Sequence, residues 1–466
     1  MKAVQRWLHG PDARRNLGGR RPSATQFFVG SFAALVLVGT IGFKVIPGLY
    51  TGEPLSWVDA LFTSTSAVCV TGLIVVDTAT YFTPLGQAWI AILIQLGGIG
   101  ILTLATLLIS LVGRRMSLEL ERAGGRARPS RTYADQRTVL AAVVKLTFVI
   151  ELVGAVILWL LWRDRMGAAG AVWPAVFHAI SAFCNAGFST FSDSLIGFQS
   201  APLTLLAVSG LIVLGGLGFL VLDDVRFRVR GLSDRLTLHS KLVLAITTVL
   251  LFGGAALYLF FETQFDLRHM GFGDRLANSW FMSVTARTAG FNTVDYGGAS
   301  NASIFLTMGL MVVGGSPGST AGGLKTTSVV LLFLLLRHRL AGREHTSVMG
   351  RTIPRETLER AAGIVVGGLL VLALFIFVLL IVELPAHGEL DRGHFLKLMF
   401  EAHSAFGTVG LSLGATPDLT SGGRVLVSLL MFIGRVGPLA LATSMVMRGS
   451  RETSKVRFAH ENVVVG

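Results

Sequence analysis

Long apolar runs, separated by short polar segments, make up most of the chain. Eight of these runs reach the roughly 20 residues that an α-helix needs to cross the hydrocarbon core of a bilayer. They lie at 26–47, 84–112, 138–162, 202–222, 239–262, 301–336, 361–384 and 424–447. The pattern predicts an all-α integral membrane protein with eight transmembrane helices.

Basic residues collect in the polar segments that follow every second run, in stretches that begin at Arg114, Arg226, Arg337 and Arg448. This distribution is typical of the positive-inside bias of membrane proteins, and it predicts that both termini are cytoplasmic. It also explains the net charge of +13 without nucleic acid as a partner. A cleaved signal peptide is the alternative interpretation of the N-terminus, but the length of the first run favours a retained anchor helix.

Four shorter apolar segments lie on the side opposite the basic stretches, at 56–73, 172–188, 273–291 and 392–411. Each begins with about 12 residues of helical pattern, and a helix of that length spans about 18 Å, or half a bilayer. Each then ends in a short glycine-containing stretch. Because non-helical backbone survives at membrane depth only where it lines water or is buried in protein, these segments predict re-entrant pore helices followed by pore loops.

The ends of these four segments share one motif, in which a glycine precedes Leu or Phe: Val70-Thr71-Gly72-Leu73, Asn185-Ala186-Gly187-Phe188, Thr288-Ala289-Gly290-Phe291 and Thr408-Val409-Gly410-Leu411. A second landmark follows about 25 residues later, at Gly97-Gly98, Gly215-Gly216, Gly314-Gly315 and Gly434-Arg435. Glycine is frequent in membrane helices, which explains single glycines but not two landmarks in phase. Such phasing indicates internal repeats.

The sequence therefore predicts four tandem, parallel helix–pore loop–helix repeats around one pseudo-fourfold pore. The repeats occupy 26–112, 138–222, 239–338 and 361–447, between a cytoplasmic tail at 1–25 and another at 448–466. Two full crossings per repeat leave all repeats in the same orientation. Inverted repeats, which are typical of alternating-access secondary transporters, are thus the less favoured alternative.

A ring of backbone carbonyls can replace the hydration shell of a small cation without adding net charge. Glycine lets each loop adopt the backbone angles that this arrangement requires. We therefore expect a selectivity filter that binds a monovalent cation, K+ or Na+, at Val70, Thr71, Gly72, Asn185, Ala186, Gly187, Thr288, Ala289, Gly290, Thr408, Val409 and Gly410. No other cofactor is expected. The sequence lacks paired carboxylates or a His cluster at a shared depth, so an enzyme is not expected.

The sixth apolar run is interrupted by many glycines and one proline, which cannot continue a helix. Freed backbone groups in lipid are costly, so the interruption predicts a gate loop that lines the aqueous path. It comprises Gly314, Gly315, Ser316, Pro317, Gly318, Ser319, Thr320, Ala321, Gly322 and Gly323, with Lys325 beside it. A merely kinked helix is the alternative.

Charged and polar residues within the apolar segments are few. Arg435 replaces the second glycine of the last landmark, and a charge inside a span is by default functional, so we expect it to anchor the gate loop. A salt bridge to a buried acid is the alternative. Arg287 is predicted to brace its pore loop, and Glu401 or His403 to act as hydrogen-bond braces.

The motifs resemble the superfamily of K+ transporters that includes the bacterial TrkH and KtrB proteins and the plant HKT proteins. The most specific are AVCVTGL at 67–73, TARTAGFNT at 285–293 and GGSPGSTAGGLKT at 314–326. The resemblance is greater to KtrB, because the first run begins too early for the additional N-terminal hairpin of TrkH. Glycine rather than serine at position 72 resembles the K+-preferring members.

This resemblance implies a homodimer of two separate pores in a bacterial-type inner or plasma membrane, surrounded by membrane lipid. It also implies a cytoplasmic, nucleotide-binding KtrA-like ring that controls the gate, and Na+-stimulated K+ uptake by symport. A Na+ channel or a poorly selective channel for monovalent cations remains the alternative.

Overall fold

The computed structural model describes residues 24–100, 136–387 and 392–437, where the regular structure is helical apart from one short β-hairpin. We number the four segments that the sequence predicts as repeats from 1 to 4. A long helix comes first in each: Ala24–Val45, Gln136–Met166, Leu238–Glu262 and Arg355–His387. Each is followed by a shorter helix that ends at a glycine motif: Trp57–Val68, Val172–Cys184, Phe272–Thr285 and Arg392–Gly407. We keep for them the name that the sequence analysis predicts, pore helices 1 to 4. All eight lie where the apolar runs predict helix.

The second helices of the repeats are less regular. They are Pro84–Gly100, Pro202–Leu217 followed by Phe219–Val229, Asn301–Val312 followed by Thr326–Leu340, and Ser421–Val436. The remaining elements are the helix Thr78–Tyr81, the 3₁₀ helices Ile196–Phe198 and Thr416–Asp418, and the strands Ser347–Val348 and Arg351–Thr352. The two strands pair antiparallel.

Four of the described helices are long and apolar enough to cross a membrane, and a fifth is counted if the pair at 202–229, bent by 102°, forms one span. The predicted runs 84–112 and 424–447 extend beyond the described residues. The predicted run 301–336 is split at 313–325, where the backbone is not helical. A span count of eight therefore stays a prediction.

Polar residues fix where the helices of the last two repeats begin. The hydroxyls of Ser300 and Thr420 accept hydrogen bonds from backbone amides in the first turn of the helices that follow them, as N-caps do. A buried glutamate near the end of each preceding long helix, Glu262 or Glu383, in turn accepts a hydrogen bond from the cap hydroxyl at 2.7 Å. In both repeats, the end of the long helix is thus joined to the start of the second helix by the same hydrogen bond.

The contacts between helices follow a cyclic order. Each long helix packs against the pore helix of its own repeat, and the second helices of repeats 2, 3 and 4 pack against pore helices 3, 4 and 1. The second helix of repeat 1 contacts pore helix 2 through Trp173, whose indole N–H donates to Gln87 at 2.7 Å. Arg424 and Asp59 join repeat 4 to repeat 1 by an ion pair at 2.6 Å.

Candidate functional site

The four glycine motifs adopt the same backbone conformation. The first residue of each motif has a positive φ, namely Val70 (56°), Asn185 (62°), Thr288 (75°) and Thr408 (49°). The glycines have φ angles of 96°, 71°, 86° and 94° in chain order. Positive φ is uncommon for residues with a side chain, so four occurrences at one motif position indicate a shared local structure.

The four glycines Gly72, Gly187, Gly290 and Gly410, which we call the glycine ring, lie against one another. A Cβ atom added to each in turn would lie 3.1, 2.9, 3.2 and 2.9 Å from the Cα of the next, and the last contacts the first. The nearest atom in every case is a carbonyl oxygen of the neighbouring loop. The structure thus brings together all four predicted loops, with no room for a side chain at any of the four glycines.

A hydroxyl near the end of each pore helix holds the loop that follows. Ser66, Ser181 and Thr285 donate to the carbonyl oxygen of the residue after the glycine, at 2.7, 2.8 and 2.6 Å. In the fourth repeat, Ser404 accepts from the amide of Gly410 at 2.9 Å. The sequence analysis missed these braces, although a Ser or Thr five or six residues before each glycine was a usable signal.

A cavity of about 190 Å³ lies beside the glycine ring, and all four glycines line it. Its polar lining residues include Asp77, Ser189, Asn292 and Ser412. We call it the outer cavity, because it is lined by the four glycines and by residues that follow them in their loops.

Two of the cavity serines are held by polar residues of pore helices 2 and 4, which face each other across the ring. Ser189 lies 2.9 Å from Nε2 of His178, and Ser412 donates to the carboxylate of Glu401. Glu401 therefore lies where the sequence predicts a brace. His403 instead contacts the carbonyl of Met399 in its own helix, at 2.7 Å, and His178 was not predicted.

We call the interrupted segment at 313–325 the 313–325 loop. Its two ends lie next to each other. The amide of Gly314 donates to the Leu324 carbonyl at 2.9 Å, and the amide of Leu324 donates to the Val312 carbonyl at 3.2 Å. Predicted gate residues between these ends hydrogen bond to the second helix of repeat 2. Ser316 and Thr320 donate amide hydrogen bonds there, at 3.1 and 3.2 Å.

The same loop contacts repeats 2 and 4, which lie opposite each other in the glycine ring. The Thr320 hydroxyl donates to the carbonyl of Phe183, at the end of pore helix 2, at 3.1 Å. On the other side, a Cβ atom at Gly322 would collide with the side chain of Thr408, and one at Gly323 would lie 3.4 Å from Gly407. The loop therefore extends from repeat 2 to repeat 4.

The bend in repeat 2 coincides with this loop. Gly218 has a φ of 83°, and the amide of Phe219 donates to the carbonyl of Gly318 at 3.0 Å. A Cβ atom at Gly218 would lie 2.7 Å from that carbonyl oxygen. The predicted run 202–222 is consequently two helices joined where the 313–325 loop packs.

Three cationic side chains hold the 313–325 loop through backbone carbonyls. Arg435, with 2% of its surface exposed, donates to the carbonyl of Thr320 and, at 3.3 Å, to that of Gly97. Arg287 donates to the carbonyl of Gly314 at 3.1 Å, and Lys325 to that of Ala321 at 2.6 Å.

These contacts correct the prediction for Arg287 and decide between the two alternatives for Arg435. The hydrogen bond of Arg287 goes to the 313–325 loop rather than to its own pore loop. The Arg435 guanidinium is held by carbonyl dipoles of repeats 1 and 3. No carboxylate forms an ion pair with it in the part of the chain that the structure describes.

Comparisons with known proteins give matches over most of the chain. The family model TrkH, described as a cation transport protein, matches residues 27–454. The potassium/sodium uptake protein NtpJ of Enterococcus hirae is 37% identical, over 96% of this chain and 98% of its own length. The Ktr system potassium uptake protein B of Bacillus subtilis is 36% identical, over 93% and 95%.

One solved structure is similar over most of the chain. The potassium transporter TrkH from Vibrio parahaemolyticus superposes with a TM-score of 0.70 at 20% sequence identity, over 95% of this chain and 88% of its own. At that identity, the similarity supports the fold alone.

Proposed function

Because the chain belongs to the TrkH family of cation transport proteins, we propose that it carries K+ through a cell membrane, along a pore that passes through the glycine ring. Family membership and the long apolar helices make it a multi-pass membrane protein. Its relatives are transport proteins rather than enzymes. The observation that carries the proposal is the meeting of Gly72, Gly187, Gly290 and Gly410 in one ring.

The selectivity filter consists of the twelve predicted motif residues, three from each loop. Four loops of equal conformation present their carbonyl oxygens to one axis and replace the hydration shell of the ion. The C-terminal ends of the four pore helices add partial negative charge near the same axis. The hydroxyls of Ser66, Ser181, Thr285 and Ser404 keep the loops in place.

The 313–325 loop is the gate. Support comes from its contacts with Phe183 and Thr408, which belong to repeats opposite each other in the ring. A loop held between opposite repeats lies in the way of an ion that leaves the filter. Arg435 and Arg287 hold the loop in this closed position, and their positive charge also repels cations.

The relative from B. subtilis is named as one protein of a Ktr system, which supports partner subunits for this chain. We infer a homodimer with a cytoplasmic, KtrA-like nucleotide-binding ring, Na+-dependent symport of K+, and cytoplasmic termini. A second candidate, less selective transport of K+ and Na+, is favoured by the name of the E. hirae relative, a potassium/sodium uptake protein.

The test is K+ uptake by cells that lack their own K+ uptake systems. The chain is expressed alone or with a KtrA-type protein, at low external K+, with and without Na+. Restored growth and K+ uptake that increase with the partner are expected. Uptake of Na+ at the same rate as K+ would favour the second candidate, and no cation uptake in either condition would refute the proposal.

A further inference from the structure

The outer cavity has one charged side chain among the residues described around it, that of Asp77. The other lining residues are neutral, and they include the four glycines of the ring. An ion in this cavity therefore has one carboxylate among the residues that line its surroundings. The filter itself offers only neutral carbonyls, so neither the sequence motifs nor the proposed filter assigns Asp77 a role.

The carboxylate of Asp77 is fixed in position by three hydrogen bonds. It accepts from the Ser192 hydroxyl at 2.6 Å, from the Thr80 hydroxyl at 2.8 Å and from the Ala79 amide at 3.0 Å. Ser192 belongs to repeat 2 and also lines the cavity. The carboxylate is therefore held at the boundary between repeats 1 and 2.

These hydrogen bonds also keep Asp77 ionised. Partial burial raises the pKa of its carboxyl, but the hydrogen bonds from Ser192, Thr80 and Ala79 outweigh this and bring the pKa below its ordinary value. Hydrogen bonds from neutral donors leave the net negative charge of the carboxylate in place. A hydrated cation in the cavity can still interact with it.

We propose that Asp77 is the entry charge of this transporter, which concentrates monovalent cations in the outer cavity before they reach the glycine ring. The inference rests on the proposed function. A fixed negative charge in a cleft raises the local cation concentration, and the effect weakens as salt screens the charge. Asp77 should therefore set the KM for K+ rather than the maximal rate or the choice of ion.

A purely structural role is the competing explanation, since Asp77 also caps the helix Thr78–Tyr81. The two explanations differ in their dependence on ionic strength. A structural defect lowers transport at every salt concentration. The loss of an entry charge instead raises the KM for K+ most at low salt, where the charge is least screened.

The experiment measures K+ uptake against external K+ in cells that express the full chain, at low and high ionic strength set with an impermeant organic cation. For Asp77→Asn at low ionic strength, we expect a KM about three- to tenfold higher with the maximal rate retained. The difference should shrink at high ionic strength. Asp77→Glu keeps the charge and should remain near the wild type.

The matched control is Asp418→Asn, which removes the same charge from an exposed position in the 3₁₀ helix Thr416–Asp418, outside the cavity lining. The inference would be overturned by an equal KM for K+ in Asp77→Asn, Asp418→Asn and the wild type. It would also be overturned by a defect of Asp77→Asn that ionic strength does not change. If the wild type takes up no K+, the proposed function fails and the entry charge fails with it.

Discussion

Replacing Gly290 by serine should reduce the preference for K+ over Na+. Gly290 has a φ of 86°, a conformation that costs about 1–2 kcal/mol for a residue with a Cβ atom. The new Cβ would also lie 3.2 Å from the Cα atoms of both Gly187 and Gly410, and closer still to the carbonyl oxygen of Val409. Overpacking of this kind costs about 1–3 kcal/mol.

Together these two terms amount to about 2–5 kcal/mol, which exceeds the net contribution of about 1 kcal/mol from one loop hydrogen bond. We therefore expect the pore loop at 288–291 to move away from the ring, so that its carbonyls no longer coordinate the ion. A change of only 1.4 kcal/mol in the relative binding of two ions corresponds to about tenfold in selectivity. The variant should thus lose at least about tenfold in K+ preference.

The assay compares the uptake rates of K+ and Na+ in transport-deficient cells, with the amount of protein in the membrane measured in parallel. Gly309→Ser is the control, because it lies in the same repeat, in the helix Asn301–Val312, and a Cβ atom there meets nothing within 4 Å. It should retain wild-type selectivity. Unchanged selectivity of Gly290→Ser in a properly inserted protein would refute the assignment of the filter.

Three further predictions concern the gate and the segment that follows the helix Leu238–Glu262. Deletion of 314–323 should raise K+ flux in the absence of the partner, because the contacts that close the path are lost. A K+ flux that stays as low as that of the wild type would count against a gate. Arg435→Met removes hydrogen bonds to Thr320 and Gly97. Because hydrogen bonds of charged groups contribute about 1.5–3 kcal/mol each, K+ uptake without the partner should rise about tenfold or more. A fall in K+ uptake at normal protein levels would contradict this. Burial, followed by the nearby carboxylates of Glu262 and Asp295, raises the pKa of Asp266 to about 6, so the folded state binds a proton more tightly than the unfolded state. Stability should therefore fall as the pH rises from about 4 to about 6 and change little above that. Asp266→Asn should flatten this fall in thermal unfolding between about pH 4 and 6, and identical pH profiles would refute the interpretation.

The positions of the pore helices and glycine loops could be predicted because they follow from local rules. Apolar length identifies helices, and only glycine tolerates the conformation and the close approach found at positions such as Gly72 and Gly187. Two landmarks in constant phase then reveal the repeat without any knowledge of the structure. Each of these signals lies within a short stretch of chain.

Contacts between repeats could not be predicted in the same way. Arg435 hydrogen bonds to Gly97, Arg424 pairs with Asp59, and Thr320 bonds to Phe183, although these partners are far apart in the sequence. A single sequence carries no signal for such pairs. The partner of Arg287 was predicted wrongly for this reason, since the nearest loop in sequence is not the one that it contacts.

The broken second helices show a further limit. Hydropathy alone predicts one span at 202–222. The chain nevertheless turns at Gly218, where the carbonyl of Gly318 accepts a hydrogen bond from the amide of Phe219. A glycine within an apolar run is common in membrane helices, so it does not mark a bend by itself. The bend is determined by the loop from repeat 3 that packs there.

Direct location of a bound ion would decide whether the glycine ring is the path of permeation. Crystals of the protein grown with K+ replaced by thallium, which has a similar radius and a strong anomalous signal, should give an anomalous peak on the axis between Gly72, Gly187, Gly290 and Gly410. Thallium found only at other positions, with the centre of the ring empty, would contradict a filter built from these four loops.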